Sequence, residues 1–320
     1  MVKDPERKRT ATRPTTGPTQ GGSDGILAVL LSLVMKNPKL ILPILIIGGI
    51  VLLFNGGGLS GLLSSDSASM EQLFSLGCDM DPAIYDQAYA FEPLSDDPRN
   101  RLPERVSLAD YAPTRLNQGR QGSCVGWASA YGARTILYAR ETGKEPDAVA
   151  FSPAYLYNQI ALEGCQGSYL YEAMEKMRTT GGLLLKEYPY SESSCANAPQ
   201  GQDLQRGRNY VTKGYERLTV DGNNHQVNLA SIRQNLAQGA PVVIGMMVGG
   251  TFLQEMVGKD VWIPSQRDYS MAGYGGHAMC VIGYDDLKEG GAFQIMNSWG
   301  KEWGRNGIAW VRYADFEHFT

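Results

Sequence analysis

Residues 118–127 read Gln-Gly-Arg-Gln-Gly-Ser-Cys-Val-Gly-Trp, and this stretch decides the fold of the chain that follows it. The glycines at positions 119 and 122 predict a loop. We therefore expect Cys124 to lie at or within the first turn of a helix. That helix is predicted because residues that would share one helix face recur after the loop at spacings of three and four, namely Trp127, Ala130, Tyr131, Arg134, Leu137 and Tyr138.

A cysteine at the start of a helix has two interpretations. The N-terminus of a helix carries a partial positive charge that favours an anion. We therefore expect a lowered pKa for the Cys124 thiol, which is typical of a nucleophile. A small buried cysteine that packs at the helix start explains the same residue equally well.

His277 lies in a second informative stretch, Gly275-Gly276-His277-Ala278, which opens an apolar run. The run predicts a strand after a glycine-rich loop. A histidine that emerges there can act as a general base or as the imidazolium partner of a thiolate. Taken alone, it can also be a structural histidine at a strand start.

Asn297 begins a third stretch, Asn-Ser-Trp-Gly-Lys-Glu-Trp-Gly, which follows a predicted strand. The oxygen of an asparagine amide can accept a hydrogen bond from an imidazole N–H and so fix the orientation and tautomer of the ring. Trp299 and Trp303 can cover such a bond from water. An aromatic loop packed for stability is the alternative interpretation.

Together the three stretches resemble the papain-like cysteine peptidases. The histidine lies 153 residues after the cysteine and the asparagine 20 residues after the histidine, close to the spacing of that family. The resemblance covers residues 102–320, about two thirds of the chain. It implies an α+β fold of two lobes with a cleft between them. A helical lobe carries Cys124, and a β-barrel-like lobe carries His277 and Asn297.

The resemblance also implies a function, that of a cysteine endopeptidase that hydrolyses peptide bonds of exported polypeptide substrates. Cys124 is the nucleophile, and His277 is its ion-pair partner and then protonates the leaving amine. Asn297 orients His277. The side-chain amide of Gln118 and the backbone N–H of Cys124 form the oxyanion hole. Two alternatives stay open: a catalytically silent module that binds peptides or a partner protein, and a transpeptidase with the same nucleophile.

Substrate contacts follow from the same resemblance. The stretch Gly-Cys-Gln-Gly-Ser-Tyr at 164–169 resembles a glycine-rich loop of the family whose backbone pairs with extended substrate. Gly167 and Ser168 are therefore candidate substrate contacts by strand addition, and Trp299 is expected to line the leaving-group side of the cleft. Ser168 departs from the family pattern because it replaces a glycine. Gly276 departs because papain has an acidic residue before the histidine.

The cysteines depart from the family as well. Gln121 occupies the position of the cysteine that usually pairs with the one in the glycine-rich loop, so Cys165 lacks its usual partner. Cys195 resembles half of a second disulfide whose other half is absent. We predict that Cys165 and Cys195 pair with each other, against the alternative of two free thiols. Cys280 is predicted to be a core residue, and Cys78 to be free or paired between chains.

The N-terminal part carries a charge pattern typical of a membrane protein. Residues 1–39 contain seven Lys and Arg against three Asp and Glu, a net charge of +4. The remainder contains 22 against 30, a net charge of −8. A basic segment before an apolar run predicts a cytoplasmic N-terminus and an extracytoplasmic catalytic domain. Residues 1–25 lack apolar periodicity and are interpreted as a disordered tail.

Residues 26–63 are interpreted as a hydrophobic membrane segment with its core at 40–54. No charged residue occurs from position 40 to position 65, so the uncharged stretch is long enough to cross a bilayer. A buried core helix and a signal peptide cleaved near Ser67-Ala68-Ser69 are the alternatives. We favour an uncleaved transmembrane helix in contact with membrane lipid, because the apolar run starts late and ends well before that site.

Residues 64–101 are polar and contain several prolines, and we interpret them as a stalk or a short pro-segment before the peptidase domain at 102–320. They are shorter than the helical inhibitory segment common in the family, so the restraint on activity stays open. The stretch at 251–275 has two interpretations, a loop that shapes access to the cleft and a packed surface loop.

Composition excludes several other classes. The net charge of −4 argues against a nucleic-acid binder, which would be basic. The chain has no phosphate-binding loop motif and no Cys-x-x-Cys pair, so a nucleotide hydrolase and the commonest zinc sites are not expected. No metal and no cofactor are expected. Of the three histidines, His225 and His318 are predicted to be surface residues.

Overall fold

The structure is a computed structural model that describes residues 75–93, 101–220 and 225–320. The predicted tail at 1–25 and the predicted membrane segment at 26–63 lie outside these residues. Within the described ranges, no helix is both long enough and apolar enough to cross a bilayer.

One long strand organises the sheet that carries the predicted histidine. It pairs with three other strands, all antiparallel to it. Its burial on both faces explains the nearly continuous apolar run of residues 278–282. The strands are β1 (Cys78–Asp79), β2 (Arg105–Ser107), β3 (Ser168–Tyr169), β4 (Val242–Val248), β5 (Val261–Trp262), the long strand β6 (Gly275–Asp285), β7 (Ala292–Met296) and β8 (Ile308–Arg312).

The six-stranded sheet has the order β2-β6-β7-β8-β5, with β4 pairing the first part of β6. β2 pairs the last three residues of β6, and β5 lies parallel to β8. A separate two-stranded sheet joins β1 to β3 in parallel. This small sheet links residues that precede the predicted peptidase domain to the predicted substrate-binding loop.

The helices lie mostly in the first half of the described chain. They are α1 (Pro82–Tyr85), α2 (Cys124–Gly126), α3 (Thr135–Thr142), α4 (Pro153–Tyr157), α5 (Leu170–Thr179), α6 (Gln202–Gly207), α7 (Leu229–Ala237), α8 (Gly250–Gln254) and α9 (Tyr313–Phe319). Short 3₁₀ turns connect several of them.

The predicted helix after Cys124 is continuous but changes its winding. α2 leads into a π-helical stretch, Trp127–Arg134, and then into α3. In a π-helix the backbone bonds connect residues five positions apart. The hydroxyl of Thr135 spans the same separation, because it donates to the carbonyl of Ala130 at 3.3 Å. Gly132 faces β6 so closely that an added Cβ would lie 3.1 Å from Cβ of Cys280. The helix can therefore pack directly on the strand.

Two groups of buried apolar side chains form the core. The larger group belongs mostly to the sheet and includes Phe252, Trp262 and Phe293. The smaller group lies among the helices and includes Val125 and Phe151. Each group excludes water from one side of the region where Cys124 and His277 lie, which supports the predicted two-lobed arrangement.

The stretch at 251–275 is a packed segment rather than an open loop. It contains part of α8 and all of β5, and Phe252 and Trp262 are buried. The carboxylate of Asp268 accepts hydrogen bonds from Thr251, Ser265 and the hydroxyl of Tyr274. Burial raises the pKa of Asp268, but these bonds outweigh it and lower the pKa to about 2. The carboxylate therefore ties together the segment that leads into β6.

The predicted disulfide between Cys165 and Cys195 is present, with a Cα–Cα distance of 5.8 Å. Cys78, Cys124 and Cys280 carry free thiols, and all three are buried. Cys280 lies on β6 in the larger core, as predicted.

Candidate active site

Cys124 is the first residue of α2 and is fully buried. Burial raises the pKa of its thiol to about 12, although backbone N–H groups of Ala278 and Val125 favour the thiolate. The predicted lowering of this pKa is therefore wrong for the structure as it stands. The partial charge of the helix start is present, but the absence of surrounding water outweighs it.

His277 is the third residue of β6, and its ring is held on two sides. Its Nε2 lies 2.8 Å from Oδ1 of Asn297, and its ring stacks on Trp299 with centroids 4.3 Å apart. Oδ1 of Asn297 also accepts from the backbone N–H of Ser298 at 2.7 Å, so Nε2 must be the donor. This fixes the tautomer and leaves Nδ1 to exchange a proton.

The second ring nitrogen of His277, Nδ1, is buried. Among the described residues, Nδ1 has no hydrogen-bond partner. Burial lowers the pKa of His277 to about 4, and the hydrogen bond that its ring donates to Asn297 offsets only part of that effect. At neutral pH, therefore, the thiol of Cys124 and the imidazole are both uncharged in this structure.

Gln118 directs its amide nitrogen at main-chain carbonyls. Nε2 donates to the carbonyls of Gln121 and Ser75, both at 3.0 Å. Oε1 accepts from the hydroxyl of Ser298 at 2.6 Å. Because both carbonyls can only accept, the amide orientation is determined by its partners. Sequence reasoning did not find Ser298 in this role, since a serine after the asparagine carries no distinctive signal.

Residues 75–93 form the covering segment, whose first part, residues 75–80, lies across the site and contributes to its burial. The carbonyl of Ser75 accepts from Gln118 and, at 3.2 Å, from the indole N–H of Trp299. Gly77 donates to the carbonyl of Gly276 at 3.2 Å and accepts from the N–H of Ser168 at 3.0 Å. The protein's own chain thus accepts a hydrogen bond from the predicted oxyanion donor, Gln118, and pairs with the predicted substrate-binding loop at Ser168.

Close backbone contact explains two glycines here. An added Cβ at Gly77 would lie 2.3 Å from the carbonyl oxygen of Gly122, and Gly77 has a φ of +135°. An added Cβ at Gly276 would lie 2.1 Å from the carbonyl oxygen of Cys78. The departure from papain before the histidine therefore makes room for the covering segment.

Contacts outside the cleft also hold the covering segment in place. Tyr89 and Phe91 exchange backbone hydrogen bonds of 2.8 and 2.9 Å with Arg217. Oδ1 of Asp86 lies 2.7 Å from Nε2 of His225, which is therefore half-buried rather than a free surface residue. Residues 75–93 of the predicted stalk or pro-segment are therefore packed against the peptidase domain. The sequence did not predict the pairing of Cys78 and Asp79 with the loop at 168–169, because a two-residue strand has no periodic pattern.

The predicted substrate contacts Gly167 and Ser168 lie against this segment. Ser168 pairs with Cys78 across the β1–β3 sheet, and its hydroxyl is buried with no hydrogen-bond partner in the described part of the chain. An added Cβ at Gly167 would lie 3.0 Å from the carbonyl oxygen of Gly77. The loop therefore pairs through its backbone with residues 77–79 of the same chain.

Residues 102–317 match the sequence profile of the family described as "Papain family cysteine protease". The chain belongs to the papain family of cysteine proteases. It is 29% identical over 211 residues to cathepsin K of Gallus gallus, which covers 62% of this chain and 54% of that protein. It is 24% identical over 247 residues to an uncharacterized peptidase C1-like protein of Acanthamoeba polyphaga mimivirus, covering 73% of this chain and 71% of the viral protein. The chain thus spans about half the length of the chicken relative.

Solved structures agree in fold. Xylellain, a cysteine protease from Xylella fastidiosa, has a TM-score of 0.61 at 22% identity, covering 76% of this chain and 91% of its own. Digestive procathepsin L 3 of the Tenebrio molitor larval midgut has a TM-score of 0.57 at 20% identity, and the match covers 78% of this chain and 75% of the procathepsin chain. These similarities show that the fold is the papain-like α+β fold.

Proposed function

We propose that the protein is a cysteine endopeptidase, that it acts on polypeptides outside the cytoplasm, and that residues 75–93 hold it inactive. The observation that carries the proposal is the main chain of residues 75–80, which lies extended in the cleft. It bonds to Gln118, Ser168 and Gly276 through backbone groups alone. A cleft that holds an extended main chain in this way suits a polypeptide substrate.

In the proposed reaction, Sγ of Cys124 attacks the carbonyl carbon of the peptide bond, and the thiol proton passes to Nδ1 of His277. The oxygen that becomes negative is held by Nε2 of Gln118 and the N–H of Cys124. The imidazolium returns the proton to the amine as the C–N bond breaks. Water, deprotonated by His277, then releases the acyl group from the thioester.

The direction of the covering segment supports inhibition rather than cleavage. Its first residue, Ser75, lies at Gln118 and Trp299, and Cys78, three residues further along the chain, pairs with Ser168. A substrate with its leaving group at Trp299 and its acyl part along Ser168 would run the opposite way. The segment therefore fills the cleft without presenting a peptide bond in the direction that the reaction needs.

The segment also suppresses the chemistry by excluding water. With the cleft covered, the pKa of Cys124 is raised to about 12 and that of His277 is lowered to about 4, both because of burial. The thiolate–imidazolium pair is therefore disfavoured at neutral pH. Withdrawal of the segment restores water, and we expect it to restore the pair as well.

Labelling with a peptidyl epoxide at neutral pH tests the peptidase proposal on the full chain in detergent. Gly77→Ala should displace the segment, because its Cβ would collide with Gly122. We expect one adduct, formed about 5–150-fold faster in Gly77→Ala than in the wild type, since backbone strain of this kind costs about 1–3 kcal/mol. Adding Cys124→Ala should abolish the adduct, and adding His277→Ala should slow it strongly.

Product analysis separates the alternatives. The Gly77→Ala chain should cleave a denatured polypeptide to products ending in free carboxylates. Labelling without cleavage would favour a silent binding module. Products that carry an added amine would favour a transpeptidase.

We also propose that residues 26–63 anchor the chain in a membrane with its N-terminus in the cytoplasm, because this stretch is apolar and residues 1–39 carry a net charge of +4. Alkaline carbonate washing should leave the full chain in the membrane fraction. An impermeant maleimide applied from the cytoplasmic side should label a cysteine introduced by Thr12→Cys and spare one introduced by Lys144→Cys. Release of the chain by carbonate would contradict the membrane anchor. Labelling of the Lys144→Cys variant but not of the Thr12→Cys variant would contradict the proposed orientation.

A further inference from the structure

The hydroxyl of Tyr190 lies between two residues that adjoin the oxyanion hole. It donates to the main-chain carbonyl of Gln118 at 2.7 Å and lies 2.7 Å from Oγ of Ser123. Because the carbonyl can only accept, the Tyr190 proton goes to Gln118 and Ser123 supplies the other bond. The ring packs edge-on against Trp127 with centroids 4.9 Å apart.

These contacts join the two ends of one short loop. The side chain of Gln118 supplies one proposed oxyanion donor, Nε2, and Ser123 immediately precedes Cys124, whose N–H supplies the other. The four residues between them include Gly119, with a φ of +68°, and Gly122. A loop with two glycines has backbone freedom, so its own conformation does not fix the distance between its ends.

We propose that Tyr190 is a positioning residue that sets the spacing of the two oxyanion donors. This inference rests on the proposed peptidase function. Ser298 already holds the amide end of Gln118 at 2.6 Å, so the contribution of Tyr190 is to the main chain. The peptide bond between Ser123 and Cys124 directs the N–H of Cys124, so a displacement of Ser123 would turn that donor away.

The effect should appear in turnover rather than in binding. Loss of a whole oxyanion donor costs about 10²–10³ in rate, and a displaced pair of donors should lose a part of that. We expect Tyr190→Phe to lower kcat roughly tenfold and to leave KM within a factor of two, because the ring still packs on Trp127. A reversible peptide aldehyde, whose bound form carries an oxyanion, should bind weaker by the same factor as the loss in kcat.

Tyr188→Phe is the matched control. Tyr188 belongs to the same Tyr-Pro-Tyr stretch, and its hydroxyl donates to the carbonyl of Asn197, away from the oxyanion donors. Both substitutions are made in the full chain carrying Gly77→Ala, and thermal unfolding checks that each variant folds.

The outcomes separate the two proposals. A loss in kcat and aldehyde affinity for Tyr190→Phe alone supports the positioning role. If the Gly77→Ala parent hydrolyses peptide and Tyr190→Phe matches Tyr188→Phe in both quantities, the positioning role is wrong and the peptidase proposal stands. If the parent neither hydrolyses peptide nor binds the aldehyde, the peptidase proposal fails and this inference fails with it.

Discussion

Ser75 and Gln118 are joined by a hydrogen bond of 3.0 Å from Nε2 of the glutamine to the main-chain carbonyl of the serine. The donor proposed to hold the oxyanion of a substrate is therefore bonded to a carbonyl of the protein's own chain. That carbonyl is also bonded to Trp299, so it lies between the oxyanion donor and the proposed leaving-group side of the cleft. An incoming substrate must replace both bonds.

A peptide with the sequence of residues 75–93 should inhibit the Gly77→Ala chain when added separately. The peptide keeps the bonds to Gln118, Gly276 and Ser168 and the backbone pairing with Arg217, so we expect micromolar inhibition that is competitive with substrate. The same peptide with alanine in place of Gly77 is the control, and it should bind about 5–150-fold weaker because of strain. Steady-state kinetics measure both. Equal inhibition by the two peptides would contradict the fit at Gly77.

Gln118→Ala should lower kcat by about 10²–10³ in the Gly77→Ala chain, because it removes one oxyanion donor. KM should change little if the donor acts mainly in the transition state. Gln159→Ala is a matched control, since that amide donates to the carbonyl of Tyr155 outside the cleft. A large rise in KM with unchanged kcat would assign Gln118 to substrate binding instead.

Alkylation of Cys124 should report the covering segment directly. Because burial raises the thiol pKa to about 12 in the covered state, iodoacetamide should modify the wild type slowly at pH 7. The Gly77→Ala chain should react faster, with a rate that reaches its plateau at a lower pH than in the wild type. Mass spectrometry of the alkylated peptides measures both rates, and Cys280, buried away from the cleft cover, is the internal control. Identical pH profiles would show that the segment does not control the thiol.

Asp268 should make the protein sensitive to strong acid. Its pKa is lowered to about 2 in the folded state, below the ordinary value of 3.8. The group therefore contributes stability above pH 4, and that contribution is lost as the pH falls from about 4 towards 2. It amounts to about 2 kcal/mol at most. Asp268→Asn should be less stable at pH 7 and show a smaller loss of unfolding free energy between pH 4 and 2. Denaturant unfolding at each pH tests this, and parallel curves would contradict it.

The disulfide between Cys165 and Cys195 should stabilise the protein by about 3–4 kcal/mol, because it closes a loop across a separation of 30 residues. Reductant should lower the Tm of the wild type. It should leave the Tm of the Cys165→Ser, Cys195→Ser double variant unchanged. An equal shift in both would mean that reductant acts elsewhere.

The sequence predicted the parts of the site whose signals are local. The helix after Cys124 follows from side-chain spacing, and His277 and Asn297 stand at the ends of apolar runs. The pairing of Cys165 with Cys195 followed from the resemblance, because both usual partners are absent. The sequence left open whether residues 64–101 are a stalk or a pro-segment, and it did not predict that residues 75–80 lie in the cleft. These residues precede Cys124 by more than forty positions and bind through main-chain groups, which leave no trace in residue type.

The sequence separation between residues 75–80 and Cys124 also explains why the predicted lowering of the Cys124 pKa is wrong. A helix N-terminus lowers the pKa of a cysteine only while water can solvate the thiolate. The cover that removes this water comes from another part of the chain, so no pattern around Cys124 could indicate it. The predicted membrane segment at 26–63 lies outside the described residues and stays a prediction.

The backbone pairing of Tyr89 and Phe91 with Arg217 has a consequence for how strongly the cleft must bind its cover. A segment tethered to the surface it occupies experiences an effective concentration in the millimolar range. A peptide that binds only with a Kd of about 10 μM in trans would then fill the cleft about 99% of the time in cis. Tight contacts inside the cleft are therefore not required to keep the site covered.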